Sequence, residues 1–75
     1  MDWEYSDLPR GKPGYYAIMY VWDPQEGAFP GCVKWDGDKQ ITDEIHGYPV
    51  TSWAGPFPTA AEALSWAESH DYERL

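Results

Sequence analysis

The chain has few of the residues that usually build catalytic or metal sites. Cys32 is the single cysteine among 75 residues, and the seven glycines are scattered singly. One cysteine cannot form a disulfide within the chain, which fits a reducing compartment. One cysteine and two histidines cannot make a structural zinc site. Scattered glycines provide no phosphate-binding loop. These shortages predict a protein without cofactor or metal.

Candidate catalytic groups are also poorly placed. Cys32 with His46 or His70 is the one possible thiol dyad, but Cys32 falls in a predicted strand, where a small apolar side chain is expected. His70 falls in the last turn of a predicted helix, where a cation favours the helix dipole, so a capping role is expected instead of a catalytic one. Asp43 and Glu44 are neighbours on a predicted strand, so they point to opposite faces. We therefore expect no enzymatic activity.

Basic residues are scarce as well. Five Lys and Arg stand against thirteen Asp and Glu, which gives a formal net charge of −8. This charge repels nucleic acid and anionic membranes and favours a basic protein surface as partner. Solubility alone is the alternative reason for it. The chain has no apolar run of membrane-spanning length. Its N-terminus lacks the basic and apolar regions of a signal peptide. We expect a cytoplasmic protein, in the host-cell cytosol.

The longest apolar run is residues 15–22, Tyr-Tyr-Ala-Ile-Met-Tyr-Val-Trp. It has no charge, glycine or proline, and strand-forming residues dominate it. With a period of two, both of its faces are apolar. A strand of this kind lies in the middle of a sheet that is covered on both sides.

Turn signals divide the following residues into further short strands. Because Pro30 and Gly31 interrupt the second strand, its regular pairing is expected to begin near Cys32. Asp36-Gly37 is a typical hairpin turn. The three further strands are expected over residues 28–36, 39–46 and 50–53.

A helix is predicted near the end of the chain. Thr59 followed by Glu62 is a capping box, and the helix should run from Ala60 to about His70. Its buried stripe is expected to consist of Ala60, Ala63, Leu64 and Ala67.

The order of elements predicts an α+β fold in one domain over residues 1–75. It would be a small antiparallel meander sheet of three to four strands with one C-terminal helix packed on one face. Residues 1–14 form an N-terminal arm, in which prolines and glycines forbid a helix. The other sheet face must be covered by this arm, by its own aromatics or by a partner. Monomer and homodimer both remain open.

Acidic residues suggest the partner-binding site. Residues 36–44 carry Asp36, Asp38, Asp43 and Glu44 against one Lys39. Carboxylates on a rigid scaffold can imitate DNA phosphates in a basic groove. Nearby exposed aromatic residues would anchor such a contact. We expect the anchors among Trp3, Tyr5 and Tyr48.

The aromatic framework resembles a family of short phage and prophage proteins of unknown function. The resemblance rests on Trp3, Leu8-Pro9, residues 15–18, Trp35-Asp36-Gly37 and Val50-Thr51-x-Trp53. It covers about residues 3–53, and this chain departs from the family by its capped helix after Pro58. In size and charge the chain is also similar to anti-CRISPR proteins. Neither resemblance implies a role for a particular residue.

Two functional hypotheses follow. The first is a non-enzymatic phage or mobile-element protein, a DNA mimic that inhibits a host nucleic-acid-handling defence complex such as a CRISPR effector. The second is a general protein-interaction or virion-associated module that uses an exposed aromatic sheet face. Direct nucleic-acid binding is not expected in either case.

Overall fold

The computed structural model describes residues 1–41 and 48–73. Within these ranges every strand pair is antiparallel, and the sheet order is β2-β1-β3. The helix α1 packs against the sheet. The predicted α+β class and the single C-terminal helix are therefore confirmed. In chain order the elements are β1 (Gly14–Asp23), β2 (Gly27–Trp35), β3 (Val50–Phe57) and α1 (Ala60–Ser69).

The aromatic run of the sequence forms β1, the central strand. Tyr16, Ala17, Ile18 and Met19 are each 0% exposed. This matches the expectation that a strand apolar on both faces lies in the middle of a covered sheet. Its alternate residues divide the core into two clusters, one under α1 and one on the opposite side of the sheet, which we call the second face.

Alanines make the contact between the helix and the sheet. Ala63 and Ala67 of α1 are fully buried against Ala17 of β1 and Ala54 of β3. Because residues four apart lie on one line along a helix, small side chains there let α1 approach the strands closely. This contact is narrower than predicted, and Ala60 and Leu64, expected in the buried stripe, are exposed.

The helix begins as its capping box predicts. The hydroxyl of Thr59 accepts a hydrogen bond from the backbone N–H of Glu62 at 3.2 Å and donates to the Glu62 carboxylate at 3.2 Å. The cap satisfies one of the backbone donors that every helix leaves open at its start. At the other end, His70 is the C-cap, in agreement with the predicted capping role.

The second strand begins earlier than predicted. Pro30 lies opposite Met19, and pairing extends back to Phe29 and Gly27. The expectation that pairing would begin near Cys32 was wrong, because β2 is an edge strand of the sheet. On an edge strand a proline can avoid the need for a backbone donor.

The strand expected over residues 39–46 can be compared with the structure only at residues 39–41. There, Gln40 forms an isolated bridge with Trp35, and the N–H of Ile41 donates to the carbonyl of Lys34. Residues 42–46 lie outside the described ranges. The predicted turn at Asp36-Gly37 is confirmed, since the chain reverses there and pairs back onto β2.

The last strand is longer than predicted and lies elsewhere in the sheet. It was expected over residues 50–53 but extends to Phe57, and it pairs with β1 on the side away from β2. The first strand of the chain is therefore central. In a simple meander, β2 would lie between β1 and β3.

The N-terminal arm passes around the outer edge of β3. Trp3 packs in the cluster under α1, Glu4 pairs with Trp53 through two backbone hydrogen bonds, and Leu8 packs in the cluster on the second face. The arm thus covers part of an edge that could otherwise pair with another chain. It is also one of the covers that the sequence required for the second face.

Aromatic side chains hold the arm at regular intervals. The indole of Trp53 donates to the carbonyl of Ser6 at 2.8 Å, and that of Trp35 to the carbonyl of Pro9 at 2.8 Å. The hydroxyl of Tyr16 donates to the carbonyl of Lys12 at 2.7 Å. Each accepting carbonyl follows the previous one by three residues. These bonds satisfy the polar tips of packed aromatic rings and fix the path of the arm.

Candidate functional site

A cavity of about 310 Å³ lies on the second face, between the N-terminal arm and the turn after β2. We call it the acidic cavity. The arm forms one wall. Trp35, Asp38 and Gln40, in the turn and on either side of it, form another. Its polar lining includes Asp7, Arg10, Asp38 and Gln40, and its apolar lining includes Leu8 and Trp35.

The turn after β2, beside this cavity, is fixed in its conformation by its first residue, Asp36. The carboxylate of Asp36 accepts hydrogen bonds from the backbone N–H groups of Asp38 and Lys39, both at 2.8 Å. These bonds, that from Lys39 first, lower the pKa of Asp36, because they stabilise its charged form. Gly37 has a φ of +102° and its carbonyl accepts from the N–H of Gly11 at 2.8 Å. The turn is therefore tied to the arm and presents its acids in a defined conformation.

One basic residue already occupies the rim of the acidic cavity. The guanidinium of Arg10 lies 2.9 Å from the carboxylate of Asp38, and the two side chains are 86% and 72% exposed. An ion pair that is open to solvent contributes about 0–1 kcal/mol to stability. It links the arm to the turn loosely and reduces the negative charge of the rim.

Two polar groups of the cavity have no counterpart within the described ranges. Asp7 is exposed to solvent, and its carboxylate makes no hydrogen bond or ion pair with any described residue. The amide oxygen of Gln40 is buried and lacks a hydrogen-bond partner. A buried acceptor without a donor costs about 1–3 kcal/mol and calls for a structural or functional explanation.

The predicted acidic site is only partly described. Asp38 lines the acidic cavity, and Asp36 lies in the same turn, where it accepts a hydrogen bond from the Asp38 N–H. Asp43, Glu44 and the candidate dyad residue His46 lie outside the described ranges. Sequence reasoning missed Asp7, which the arm brings to this turn.

The three predicted aromatic anchors lie in different environments. Trp3 is half-buried: its indole donates to the carbonyl of His70 at 2.8 Å, and its ring packs edge-on against Trp66. Tyr5 is 71% exposed, with its ring 6.3 Å from that of Tyr72. Trp3 serves the core, whereas Tyr5 offers a ring to solvent.

Tyr48, the third predicted anchor, belongs to a set of aromatic rings at one end of the second face. It is 43% exposed and stacks on Tyr20, with 6.1 Å between the ring centroids. Trp22, 50% exposed, lies 5.7 Å from Phe29, which is paired with Tyr20 across the strands. We call Tyr20, Trp22, Phe29 and Tyr48 the aromatic patch.

The remaining acids of the described ranges occupy several sides of the molecule. Glu62 and Glu68 are exposed on α1, and Glu4 lies at the edge of β3. Asp71 is only 7% exposed and accepts a hydrogen bond from the N–H of Glu73. The acidic groups within residues 1–41 and 48–73 therefore do not form a single surface, and the acidic cavity is where two distant segments join.

Cys32 and His70, the two described residues of the candidate thiol dyads, each pack against core or helix-end residues. Cys32 packs in the core cluster under α1. His70 lies at the helix end, where its Nδ1 donates to the carbonyl of Trp66 at 2.8 Å and its ring stacks on Trp66 at 4.0 Å. These rings, with Phe57 and Pro58, border a shallow apolar groove of about 520 Å³. Both residues have structural neighbours that account for them.

Among residues 1–41 and 48–73, no group of three or more His, Cys, Asp or Glu side chains could hold a metal ion. The described part of the chain contains no helix with the length and apolar character needed to cross a membrane.

The strongest candidate site is thus the acidic cavity, with the aromatic patch as a second surface. Both are built from residues that the sequence separates and the fold brings together. In comparisons with known proteins, no family model, curated protein or solved structure matches this chain.

Proposed function

We propose that this protein is a non-enzymatic acidic inhibitor that binds a basic surface on a nucleic-acid-handling defence complex of a phage host, as anti-CRISPR proteins do. The observation that supports the proposal is that Asp7 of the arm and Asp38 of the turn line one cavity, while the carboxylate of Asp36 holds that turn. Three carboxylates from two segments stand on a backbone that is tied together by hydrogen bonds. A net charge of −8 adds long-range attraction to a basic partner.

The rigidity of the turn matters for this function. Because Asp36 is held by two backbone N–H groups, the turn loses little freedom on binding. Basic grooves that accept nucleic acid present Lys and Arg at phosphate spacing, and fixed carboxylates can take the place of phosphates there. Such binding is strongly salt-dependent, since its charges are exposed.

Phage plating on strains that each carry one defined CRISPR system tests the proposed activity. Expression of the wild-type protein should raise the plating efficiency of a targeted phage on at least one strain. Cys32→Ala should inhibit as well as the wild type, because no thiol chemistry is involved. Unchanged plating on every strain, with a known inhibitor active in parallel, would contradict the proposal.

A charge-matched pair of variants tests the site. The first variant carries Asp7→Asn, Asp36→Asn and Asp38→Asn. The control carries Asp2→Asn, Glu26→Gln and Glu68→Gln, at exposed positions elsewhere. Both lose three negative charges, so they have the same net charge.

The site variant should bind the inhibited complex at least about tenfold more weakly than the control, since it loses contacts and not only long-range attraction. The Asn replacements retain an acceptor at position 36, so thermal stability should remain close to wild type. Equal loss in both variants would mean that net charge alone drives binding.

The aromatic patch favours a second candidate function, a general protein-interaction or virion-associated module. Trp22 and Tyr48 are large apolar side chains with about half of their surface exposed. Exposed aromatic residues are typical anchors of protein interfaces. Partner binding that ignores a rise from 0.05 to about 0.5 M salt would favour this function, because screening removes most surface electrostatics across that range.

A further inference from the structure

The acidic cavity has the size and lining of a site for one side chain. Its volume of about 310 Å³ is at the lower limit of ligand pockets, which begin near about 300 Å³. The lining combines carboxylates and an amide oxygen with apolar surface from Leu8, Trp35 and Val50. A ligand for it needs an apolar stem and a polar head that donates hydrogen bonds.

The unpaired groups define the charge and donors of that head. Asp7 offers an exposed carboxylate that no described residue neutralises. Gln40 lines the cavity, and its amide oxygen is closed to solvent and has no donor among the described residues, so a ligand would engage it by turning the Gln40 side chain toward the cavity. Both groups accept hydrogen bonds. An anionic ligand would be repelled by Asp7 and Asp38, and an acceptor-rich ligand would leave the Gln40 oxygen unpaired. The cavity therefore suits a cation with several N–H groups.

A guanidinium meets these conditions best. It carries five N–H donors in a planar fork and can bind a carboxylate with two parallel hydrogen bonds. It also stacks on aromatic rings such as that of Trp35, and its aliphatic stem can pack along Leu8 and Val50. A lysine ammonium is a point charge with a larger hydration cost and matches the flat aromatic wall less well.

We propose that the acidic cavity binds the guanidinium of an arginine side chain of the partner protein, with Asp7, Asp38 and Gln40 as its acceptors and Trp35 as its aromatic wall. This inference deepens the proposed function and rests on it for the source of the arginine. The partner would then be recognised through one arginine side chain that fits the cavity, in addition to the long-range attraction between opposite charges.

Arg10 provides the sharpest internal test. Its guanidinium already neutralises Asp38 at the rim, so it competes with an incoming guanidinium for the same carboxylate. Arg10→Gln should free Asp38 and strengthen binding of the cation about threefold, as expected for one exposed ion pair. If Arg10 instead only supports the shape of the cavity, Arg10→Gln should weaken binding of the cation.

The experiment is a titration of the ¹⁵N-labelled protein with Nα-acetyl-arginine amide, followed by NMR at constant ionic strength. The probe runs to about 50 mM, because contacts of one side chain bind in the millimolar range. We expect saturable shifts of the Gln40 side-chain amide and the Trp35 indole N–H. Nα-acetyl-lysine amide should bind at least about threefold more weakly.

Variants then assign the contacts. Asp7→Asn should weaken binding of the arginine probe at least about threefold, through loss of a charge-assisted hydrogen bond. Gln40→Met should weaken it too, while the urea midpoint of the free protein stays equal or rises, because a buried acceptor without a donor is removed. Glu68→Gln, on the exposed face of α1, is the matched control and should change nothing.

Three results would overturn the inference. The first is the absence of saturable shifts at Gln40 and Trp35. The second is equal binding of the arginine and lysine probes. The third is binding of free L-arginine about tenfold tighter than the amide, which would assign the cavity to a small molecule instead of a protein side chain. Because the titration uses no defence complex, its failure is distinct from a failure of phage inhibition.

Discussion

Replacing Tyr16 by Phe tests how the N-terminal arm is held, and with it the wall of the acidic cavity. The Tyr16 hydroxyl is the donor at the end of the arm and lies 2.7 Å from the carbonyl of Lys12. The Tyr16 side chain is 0% exposed, and burial raises its pKa, so the hydroxyl remains protonated and donating at neutral pH. The substitution removes this one bond and keeps the ring that fills the core.

The expected loss is about 1 kcal/mol. A hydrogen bond within a protein contributes about 0.5–1.5 kcal/mol. The acceptor that loses its donor is the carbonyl of Lys12, an exposed residue. Water can replace the lost donor there, so the larger cost of a buried acceptor without a hydrogen bond does not apply. In a domain of this size, that amount lowers the melting temperature by about 4–8 °C.

Proteolysis measures the effect on the arm itself. Arg10 lies within the arm and is exposed, and trypsin can cleave the bond after it when the arm detaches. A loss of about 1 kcal/mol raises the population of the detached state about fivefold, and cleavage under native conditions should rise by the same factor. Mass spectrometry of the early fragments identifies the cleaved bond.

The neighbouring tyrosine is the matched control. Tyr15 is half-buried on the helix side of β1, with the Lys34 ammonium 5.8 Å from its ring centroid and no hydrogen bond from its hydroxyl to a described residue. Tyr15→Phe should therefore change stability by less than about 0.5 kcal/mol. The reasoning is refuted if both variants behave alike, or if Tyr16→Phe lowers the melting temperature while cleavage after Arg10 stays at the wild-type rate.

Three further predictions concern stability. Ala63→Leu should destabilise the fold by about 1–3 kcal/mol in urea unfolding, because no space is left between α1 and the sheet; Ala61→Leu, at an exposed position, should have little effect, and equal losses would contradict the proposed close approach. Thr59→Ala should cost about 1 kcal/mol through loss of the cap, whereas Ser65→Ala on the exposed helix face should not destabilise; calorimetry compares them. NMR titration should give Asp36 a pKa below its ordinary value. Because this pKa is lowered in the folded state, Asp36 contributes stability above its unfolded pKa and loses it as the pH falls through its folded pKa, so a pH dependence unchanged in Asp36→Asn would exclude this role.

Local patterns in the sequence account for the elements that depend on near neighbours. The run 15–22 predicted the central strand because both of its faces are apolar, which is compatible with few other positions in a small sheet. The spacing of Thr59 and Glu62 predicted the start of α1, and Asp36-Gly37 predicted the turn. In each case the deciding hydrogen bonds or contacts lie within a few residues.

The tertiary structure decided what depends on distant segments. Strand order is an example, since β3 pairs with β1 on the side away from β2, a choice made by packing across the whole sheet. Pro30 in β2 is another, because its tolerance depends on the strand being at the edge. No local pattern predicts either outcome.

The acidic cavity shows the same division most clearly. The sequence by itself determined that the chain is strongly acidic and that Asp36 and Asp38 share a turn. Only the folded arm brought Asp7 to the cavity that Asp38 lines, because the donors that direct the arm belong to Trp53, Trp35 and Tyr16, far along the chain. Local patterns specify which residues can turn or pair, whereas long-range hydrogen bonds and packing specify which of them meet.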